Sequence, residues 1–531
     1  MSDPDRAASR SQTGRSPRFW GIFVPLCILS FVCALDVVII TTSLPTITEA
    51  IGGALDYVWI ANSFVVASAV LQPLFGQLAD VFGRQIPLVS STALFLLGSG
   101  LSGGAQSPAM LMGGRTVQGL GAGGLYVLLD IVCCDLVPLR DRGKWVGLMN
   151  SFAGLAAALG PALGGVIAQS NWRWIFYLNL PICGVALLGV LLFMRMRVGP
   201  SSSEKTRLRS IDYIGSAIFT PSIIAILLGL IMGGVKYPWS SWRVILPLIL
   251  GSLGWVSFHV QQAFASHPSV PARLFANRTS ATAFLLTFLS SALVQSVSYF
   301  LPIYFQAVKA TTVIKSGTYF LPYAIGTLFF AIVGGVLLSS LGKYKSLHLV
   351  SFALTSIGLG LLTLLDRGTP TAVWVIIQLI ASAGLGLSVS TMLPAIMAAL
   401  PESDVASSTA AYVFLKTFGY VWGVAIPSIL FNAVFDSNLD RVSDPAVRDQ
   451  LANGAAYAFA SQVHRMYKTS DPSLWEDVSD VYADTLRTIW WVGLGTSIVG
   501  FIAVFMERSL ELRTDLDTAY GLEDSPQPTE K

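Results

Sequence analysis

The sequence predicts an all-α protein that crosses a membrane fourteen times, and three observations carry that reading. Hydrophobic residues make up 53 % of the chain and charged residues only 12 %, against about 25 % charged in ordinary soluble domains. Apolar runs of about 18 residues or more recur from end to end, each long enough to cross the hydrocarbon core. The polar gaps between most of them are short, and their positive charge is lopsided. Backbone N–H and C=O groups cannot stay unpaired in lipid, so these runs are helices.

The first 19 residues are polar and rich in Ser and Arg, and are expected to be disordered without a cleavable signal. Spans 1 to 6 are read at 20–43, 57–79, 86–104, 109–134, 145–168 and 174–194. A basic linker, 195–210, follows. Two more spans, 211–233 and 243–263, come next. Spans 9 to 13 are read at 281–306, 317–340, 346–365, 372–398 and 407–433, and the last at 488–506. Residues 434–487 are too polar to span and form an expected external loop, in which Leu451, Ala455, Tyr457, Phe459 and Val463 suit a surface helix. Residues 507–531 form a tail. Counting spans puts Arg84, Arg140, Arg142, Lys144, Arg195, Arg273, Arg278, Lys343 and Lys345 on the side of both termini. The opposite short loops hold only Arg173, Lys236, Arg243, Lys309, Lys315 and Arg367. Both termini are therefore expected in the cytoplasm.

Between spans 2 and 3 stands Gly76-Gln-Leu-Ala-Asp80-Val-Phe-Gly83-Arg84. Its glycines allow close backbone approach and a turn at φ > 0, and Asp80 and Arg84 sit where membrane meets water. Gly335-Val-Leu-Leu-Ser339-Ser-Leu-Gly342-Lys343, between spans 10 and 11, repeats the spacing, with Ser339 in place of the acid. The chain therefore reads as two six-span halves, 20–194 and 264–433 with 488–506, separated by the two inserted spans. Further motifs are Leu35-Asp36 in span 1 and Gly114-Arg115-Thr-Val-Gln118-Gly119-Leu-Gly121-Ala-Gly-Gly124 in span 4. Gly160-Pro161-Ala-Leu-Gly164-Gly165 lies in span 5, and Trp172 to Pro181 opens span 6. Together these resemble the major facilitator superfamily, most closely its fourteen-span drug:proton antiporters of fungi, some of which export toxins and other secondary metabolites. The resemblance covers residues 20–506. It implies parallel six-helix halves with substrate bound near the midplane between them. It also makes Gly160, Pro161, Gly164 and Gly165 an exporter signature and Gly76, Asp80, Gly83 and Arg84 a cytoplasmic gate.

Charges inside spans are costly and face a partner or a cavity. Asp36 and Arg115 lie at similar depth, roughly 10 Å below the outer surface at ~1.5 Å per residue, and so can pair. A carboxylate beside Arg changes its proton affinity when that partner or its water is removed, which makes the pair the expected site of proton coupling. The alternative is a permanent ion pair holding spans 1 and 4 together. Asp135, at the inner end of span 4, is expected to share Arg84 with Asp80. Asp130 and Lys416 are further charged positions, read either as functional or as groups reaching water. Asn62, Gln118, Gln295 and Tyr299, with Lys416, are the expected polar lining of an apolar substrate cavity.

Other chemistries find little support. The glycine run after Arg115 fits a dinucleotide fingerprint only formally, because that motif needs a preceding strand. No phosphate-loop sequence occurs, the four histidines are scattered, and the five cysteines lie within spans. No cofactor, metal, nucleic acid or enzymatic activity is expected. The expected partners are a small amphipathic organic substrate, protons and lipid, for a monomer in the plasma membrane or, alternatively, the vacuolar membrane. A related uptake or vacuolar carrier for a siderophore or basic amino acid is the second reading, and a membrane receptor or enzyme the third. The span count makes one prediction. Asn277-Arg278-Thr279, the only Asn-x-Ser/Thr sequence in the chain, falls on the cytoplasmic side and will carry no glycan. A mobility shift on endoglycosidase treatment would invert the topology.

Overall fold

The computed structural model describes residues 16–51, 57–196, 209–234, 237–452, 454–463, 472–516, 518 and 520. Most of the expected disordered N-terminus, most of the basic linker, part of the segment between the last two spans, and the end of the tail lie outside the described residues. Among the described residues the chain is helical with no strand. Its helices are α1 (Pro17–Ile51), α2 (Tyr57–Val70), α3 (Gln72–Phe82), α4 (Gln85–Gly103), α5 (Pro108–Leu136), α6 (Leu139–Asn171), α7 (Trp174–Tyr177), α8 (Asn179–Phe193), α9 (Tyr213–Met232) and α10 (Trp242–Phe264). They continue with α11 (Arg273–Ala276), α12 (Arg278–Ile303, closed by a π turn at Tyr304–Val308), α13 (Val313–Leu341), α14 (Tyr344–Leu362), α15 (Thr371–Ala398), α16 (Val405–Ser437), α17 (Pro445–Leu451), α18 (Ala456–Phe459) and α19 (Pro472–Val504).

Among the described residues twelve helical segments are each long and apolar enough to cross a membrane, and the pair α2–α3, bent by 45° at Leu71, makes a thirteenth. The long helix α6 stands where a fourteenth was expected and packs along α1. Local signals start these helices. The side chains of Ser107, Asp212, Ser241, Asn277 and Thr312 each accept a backbone N–H in the first turn of α5, α9, α10, α12 and α13. Gly83 and Gly342, the equivalent glycines of the repeated motif, both have positive φ, 78° and 67°. A side chain there would be strained.

Helices α1 to α8 form one bundle and α12 to α16 with α19 another, with α9 and α10 paired beside them. The glycine run of α5 is a packing surface. A Cβ on Gly119 would come within 2.5 Å of the Phe64 carbonyl oxygen, on Gly121 within 2.4 Å of Phe95 N, and on Gly123 within 2.2 Å of the Ser68 carbonyl oxygen. Gly160 of α6 lies against Val38 of α1, and the Ser43 hydroxyl donates to the Gly164 carbonyl at 3.0 Å. The small-residue pattern of Gly160 and Gly164 thus joins α6 to α1. Pro161 lies within the same unbroken helix; its surroundings and those of Gly165 fall outside the described residues.

The final helix begins at Pro472, well before the expected start at 488. Hydropathy marks only the part of a helix that lies in lipid. The early turns of α19 carry Asp477, Asp480 and Asp484, paired with the Ser443 amide, Arg367 and Arg441. Their other face buries Val478, Val481 and Tyr482. Leu451, Ala456, Ala460 and Val463 pack into that same cluster with Phe431 and Phe435. The expected surface helix is therefore two short helices, α17 and α18, seated on the ends of α16 and α19.

The two bundles meet along two seams, α6 with α13 and α15, and α3 with α16. Both include close contacts toward the end that carries residue 17 and residue 504, called here the basic end. A Cβ on Gly335 of α13 would lie 2.4 Å from the Gly143 carbonyl oxygen of α6, and one on Gly76 of α3 would lie 2.5 Å from the Ala410 Cβ of α16. Gly335→Ala should therefore force the first seam apart, at an overpacking cost of about 1–3 kcal/mol. Transport should slow by about tenfold or more. Gly317→Ala, in the same helix but with nothing within 4 Å, should leave transport unchanged; equal rates for both variants would show that the seam does not need this contact.

Candidate functional site

The deepest polar cluster is built on Asp36, halfway along α1. It is 1 % exposed. Arg115 of α5 forms an ion pair with one carboxylate oxygen through Nη1. The other oxygen accepts from Gln118 Nε2 at 2.8 Å and from Asn179 Nδ2 at 2.9 Å. Both amides also donate to Ser99 Oγ of α4, at 2.7 and 2.9 Å. Arg115 Nη1 holds a second acceptor, Gln118 Oε1, at 2.8 Å. The guanidinium lies 4.3 Å from the ring centroid of Phe64, and its Nε is buried with no acceptor. Helices α1, α4, α5 and α8 thus converge on one carboxylate. Sequence depth brings Asp36 and Arg115 together correctly. It does not foresee Ser99 and Asn179, and it places Gln118 in a substrate cavity, whereas the side chain is fully buried beside Asp36.

A second cluster closes the basic end of the first bundle. Arg84 is 2 % exposed. Its Nε donates to Asp135 Oδ2 at 2.7 Å, and its Nη1 donates to Asp80 Oδ1 at 3.0 Å and to the Ala79 carbonyl at 2.7 Å. One guanidinium therefore ties the α3–α4 turn, formed by Gly83, to the end of α5. Charge-assisted bonds of this kind are short and directional, and Asp135 is buried, so the cluster differs from a solvated surface pair.

A third buried arginine was not foreseen as a site residue. Arg142 of α6 bonds Glu402 Oε2, from the turn before α16, at 2.7 Å, and the Cys134 carbonyl at 3.1 Å. Its neighbour Arg140 donates to the Ser339 and Ser340 carbonyls, each at 2.8 Å, and Asp141 accepts from the Ser339 hydroxyl. These contacts cross between the bundles at the basic end. The signal was present in Pro138-Leu-Arg140-Asp-Arg142 and Pro401-Glu402-Ser-Asp404, which enter α6 and α16 with opposite charges.

Midway along the seam, Asp130 of α5 and Lys416 of α16 lie within electrostatic reach of each other. The ammonium sits 5.3 Å from the ring centroid of Tyr412. At the next residue of α16, Gln72 Nε2 of α3 donates to Thr417 Oγ1 at 3.2 Å, leaving its own buried Oε1 without a donor. Asn62 and Gln295 are half-buried. Tyr299 is exposed on the same helix as Gln295 and stacks on Tyr457 at 5.5 Å, so its ring is engaged by the short helix α18. Among the described residues no group of three or more His, Cys, Asp or Glu side chains has metal-binding geometry.

The profile of the Major Facilitator Superfamily matches residues 26–424. The chain belongs to the major facilitator superfamily. It is 46 % identical over 528 residues to the MFS efflux transporter aclA of Aspergillus oryzae, covering 99 % of this chain and 95 % of that one. It is 42 % identical to the MFS-type efflux pump LUC4 of a Fusarium species (97 % and 92 % covered). The Acurin A biosynthesis cluster MFS-type transporter of Aspergillus aculeatus is also 42 % identical (95 % and 92 %). The human organic anion transporter MFSD10 shares the fold, with a TM-score of 0.60 at 15 % identity over 92 % of this chain and all of that one. The proton:xylose symporter XylE does so with a TM-score of 0.54 at 15 % identity, covering 87 % and 98 %. The chain is therefore a multi-pass membrane transporter of small organic compounds.

Breaking one partner of a buried ion pair leaves an uncompensated charge, at about 3–5 kcal/mol. Asp36→Asn and Arg115→Gln should each lower the unfolding temperature in detergent. The double variant, neutral on both sides, should recover most of the loss. Additive losses would mean that the two side chains act on stability independently.

Proposed function

We propose that this transporter exports a small amphipathic organic compound, such as a fungal secondary metabolite, in exchange for protons, with Asp36 as the coupling carboxylate. The single observation that carries the proposal is the enclosed Asp36 cluster, in which every named partner of the carboxylate is a donor and Arg115 holds a second acceptor. In this closed arrangement three donors hold the carboxylate. When the first bundle shifts and water enters, Arg115 can stay bonded to Gln118 and stacked on Phe64 while Asp36 takes up a proton. The second acceptor keeps the guanidinium partnered once the carboxylate is neutral. Loading and unloading of the proton are thereby tied to whether the cluster is dry or wet, which is what exchange across a rocking pair of bundles requires.

The gate marks which end is closed in this arrangement. The Asp80–Arg84–Asp135 cluster and the Arg142–Glu402 bridge hold the basic end shut. The excess of Lys and Arg in its short loops supports a cytoplasmic orientation for that end. Substrate leaves from the opposite side, and a proton follows inward. The names of the fungal relatives, efflux transporter and efflux pump, support export over uptake. Gln72, Lys416 and Asp130 line the seam where such a compound would pass.

Asp36→Asn should abolish accumulation driven by an imposed pH gradient in sealed vesicles while preserving downhill exchange of substrate. The amide keeps the shape and still accepts from Gln118 or Asn179, but cannot carry the proton. A variant that still concentrates substrate at near the parent rate would remove Asp36 from the coupling step.

A further inference from the structure

After α19 ends, the chain does not leave the protein. Glu507 is buried, with both carboxylate oxygens 3.0 Å from His348 Nδ1 of α14. Lys345 Nζ and the Tyr344 hydroxyl of α14 bond the carbonyls of Glu507 and Arg508, and the Arg508 amide donates to Thr279 Oγ1 at 3.0 Å. The tail is thus pinned to the second bundle. It then crosses the basic end. The Arg513 carbonyl accepts from the Arg140 amide at 3.0 Å, and its guanidinium reaches the Leu400 carbonyl at 3.0 Å and Glu402 Oε1 at 3.2 Å. Further on, the tail lies on the first bundle. Thr518 Oγ1 donates to Asp135 Oδ1 at 3.2 Å, the Tyr520 ring covers the Arg84 guanidinium at 3.5 Å to its centroid, and the Tyr520 hydroxyl donates to the Asp80 carbonyl at 3.1 Å.

All three members of the gate cluster are therefore touched by two residues of one tail whose root belongs to the other bundle. The arrangement has a mechanical meaning. If the bundles part at the basic end, the tail must either lift off Arg84 and Asp135 or tear loose at Glu507 and Arg513. The root is held by a buried carboxylate and backbone bonds. The tip is held by one hydroxyl bond, one stacked ring and one phenol bond. The tip is the end that yields. Burial raises the Tyr520 phenol above its ordinary value, against the pull of Arg84, so the hydroxyl stays a donor.

We propose that Thr518 and Tyr520 are positioning residues of the gate, a strap from the second bundle that holds Arg84 in place and must lift before the basic end opens. This rests on the gate reading of Asp80, Arg84 and Asp135 and adds to it a part supplied by the opposite bundle. The strap makes closure a property of both bundles, because Arg84 is held from the first by Asp135 and from the second by Tyr520.

The test uses the full-length transporter with spin labels at Ile86→Cys and Ser346→Cys, exposed positions on opposite bundles near the basic end; the five native cysteines are buried. Pulsed distance measurements report the closed and open populations. Tyr520→Ala should raise the open-to-closed ratio by about tenfold, the equivalent of about 1.4 kcal/mol of lost contact. Tyr520→Phe keeps the ring on Arg84 and should stay nearer the parent than Tyr520→Ala. Arg84→Ala should also open the basic end, and adding Tyr520→Ala to it should change little further, since the two act through one contact. If Arg84→Ala opens the basic end but Tyr520→Ala leaves the parent distribution, the strap is overturned and the gate stands. If neither variant moves the distances, both fall. Full additivity of the two would likewise overturn the strap.

Discussion

A guanidinium shut inside a bundle of helices must be met by acceptors from more than one of them, and that requirement organises this protein. Among the described residues three arginines are almost wholly buried: Arg84, Arg115 and Arg142. Each is met by a carboxylate on a different helix or turn, Asp135, Asp36 and Glu402. Such pairs are not a cheap source of stability, because desolvation offsets most of the attraction. What they confer is placement. A helix that rotates or slides strands a charge, so α1 against α5, the α3–α4 turn against α5, and α6 against the start of α16 each have one favoured register.

The three pairs differ in what they join. Asp36–Arg115 lies wholly inside the first bundle. Arg84 with Asp80 and Asp135 also belongs to one bundle, but sits at its rim. Arg142–Glu402 bridges the two. Small residues work beside them. Gly76 and Gly335 let backbones from opposite bundles approach within a distance that any side chain would block. Charge holds the register and glycine permits contact, and both kinds of residue meet at the basic end in Arg84, Arg142, Gly76 and Gly335.

Much of this was legible in the sequence, for reasons that particular residues make plain. Hydropathy locates a helix because lipid tolerates few alternatives, so thirteen of the expected spans correspond to long apolar helices or the bent α2–α3 pair, with α6 standing at the remaining position. Equal depth was enough to pair Asp36 with Arg115. The Gly83 and Gly342 turns followed from spacing alone. The misses share a cause. Ser99 and Asn179 are small and common polar residues, and only convergence in space distinguishes them. Glu402 lies 260 residues from Arg142, and no periodicity reports a contact across that distance. The early turns of α19 are polar enough to read as loop, because their apolar face is a stripe that a window average dilutes.

The inserted helices have a consequence for the path a compound can take. Helix α9 contacts α2 and α16, with Phe219 set between Phe258 and Phe414 and with Trp255 of α10 against Phe418. This pair stands beside the α3–α16 seam as a two-helix buttress. The α6–α13 seam has no such addition among the described residues. The two flanks of the molecule are therefore built differently. Along one, aromatic rings on a second rank of helices thicken the wall between seam and lipid. Along the other, α6 against α13 and α15 forms the wall without that second rank among the described residues.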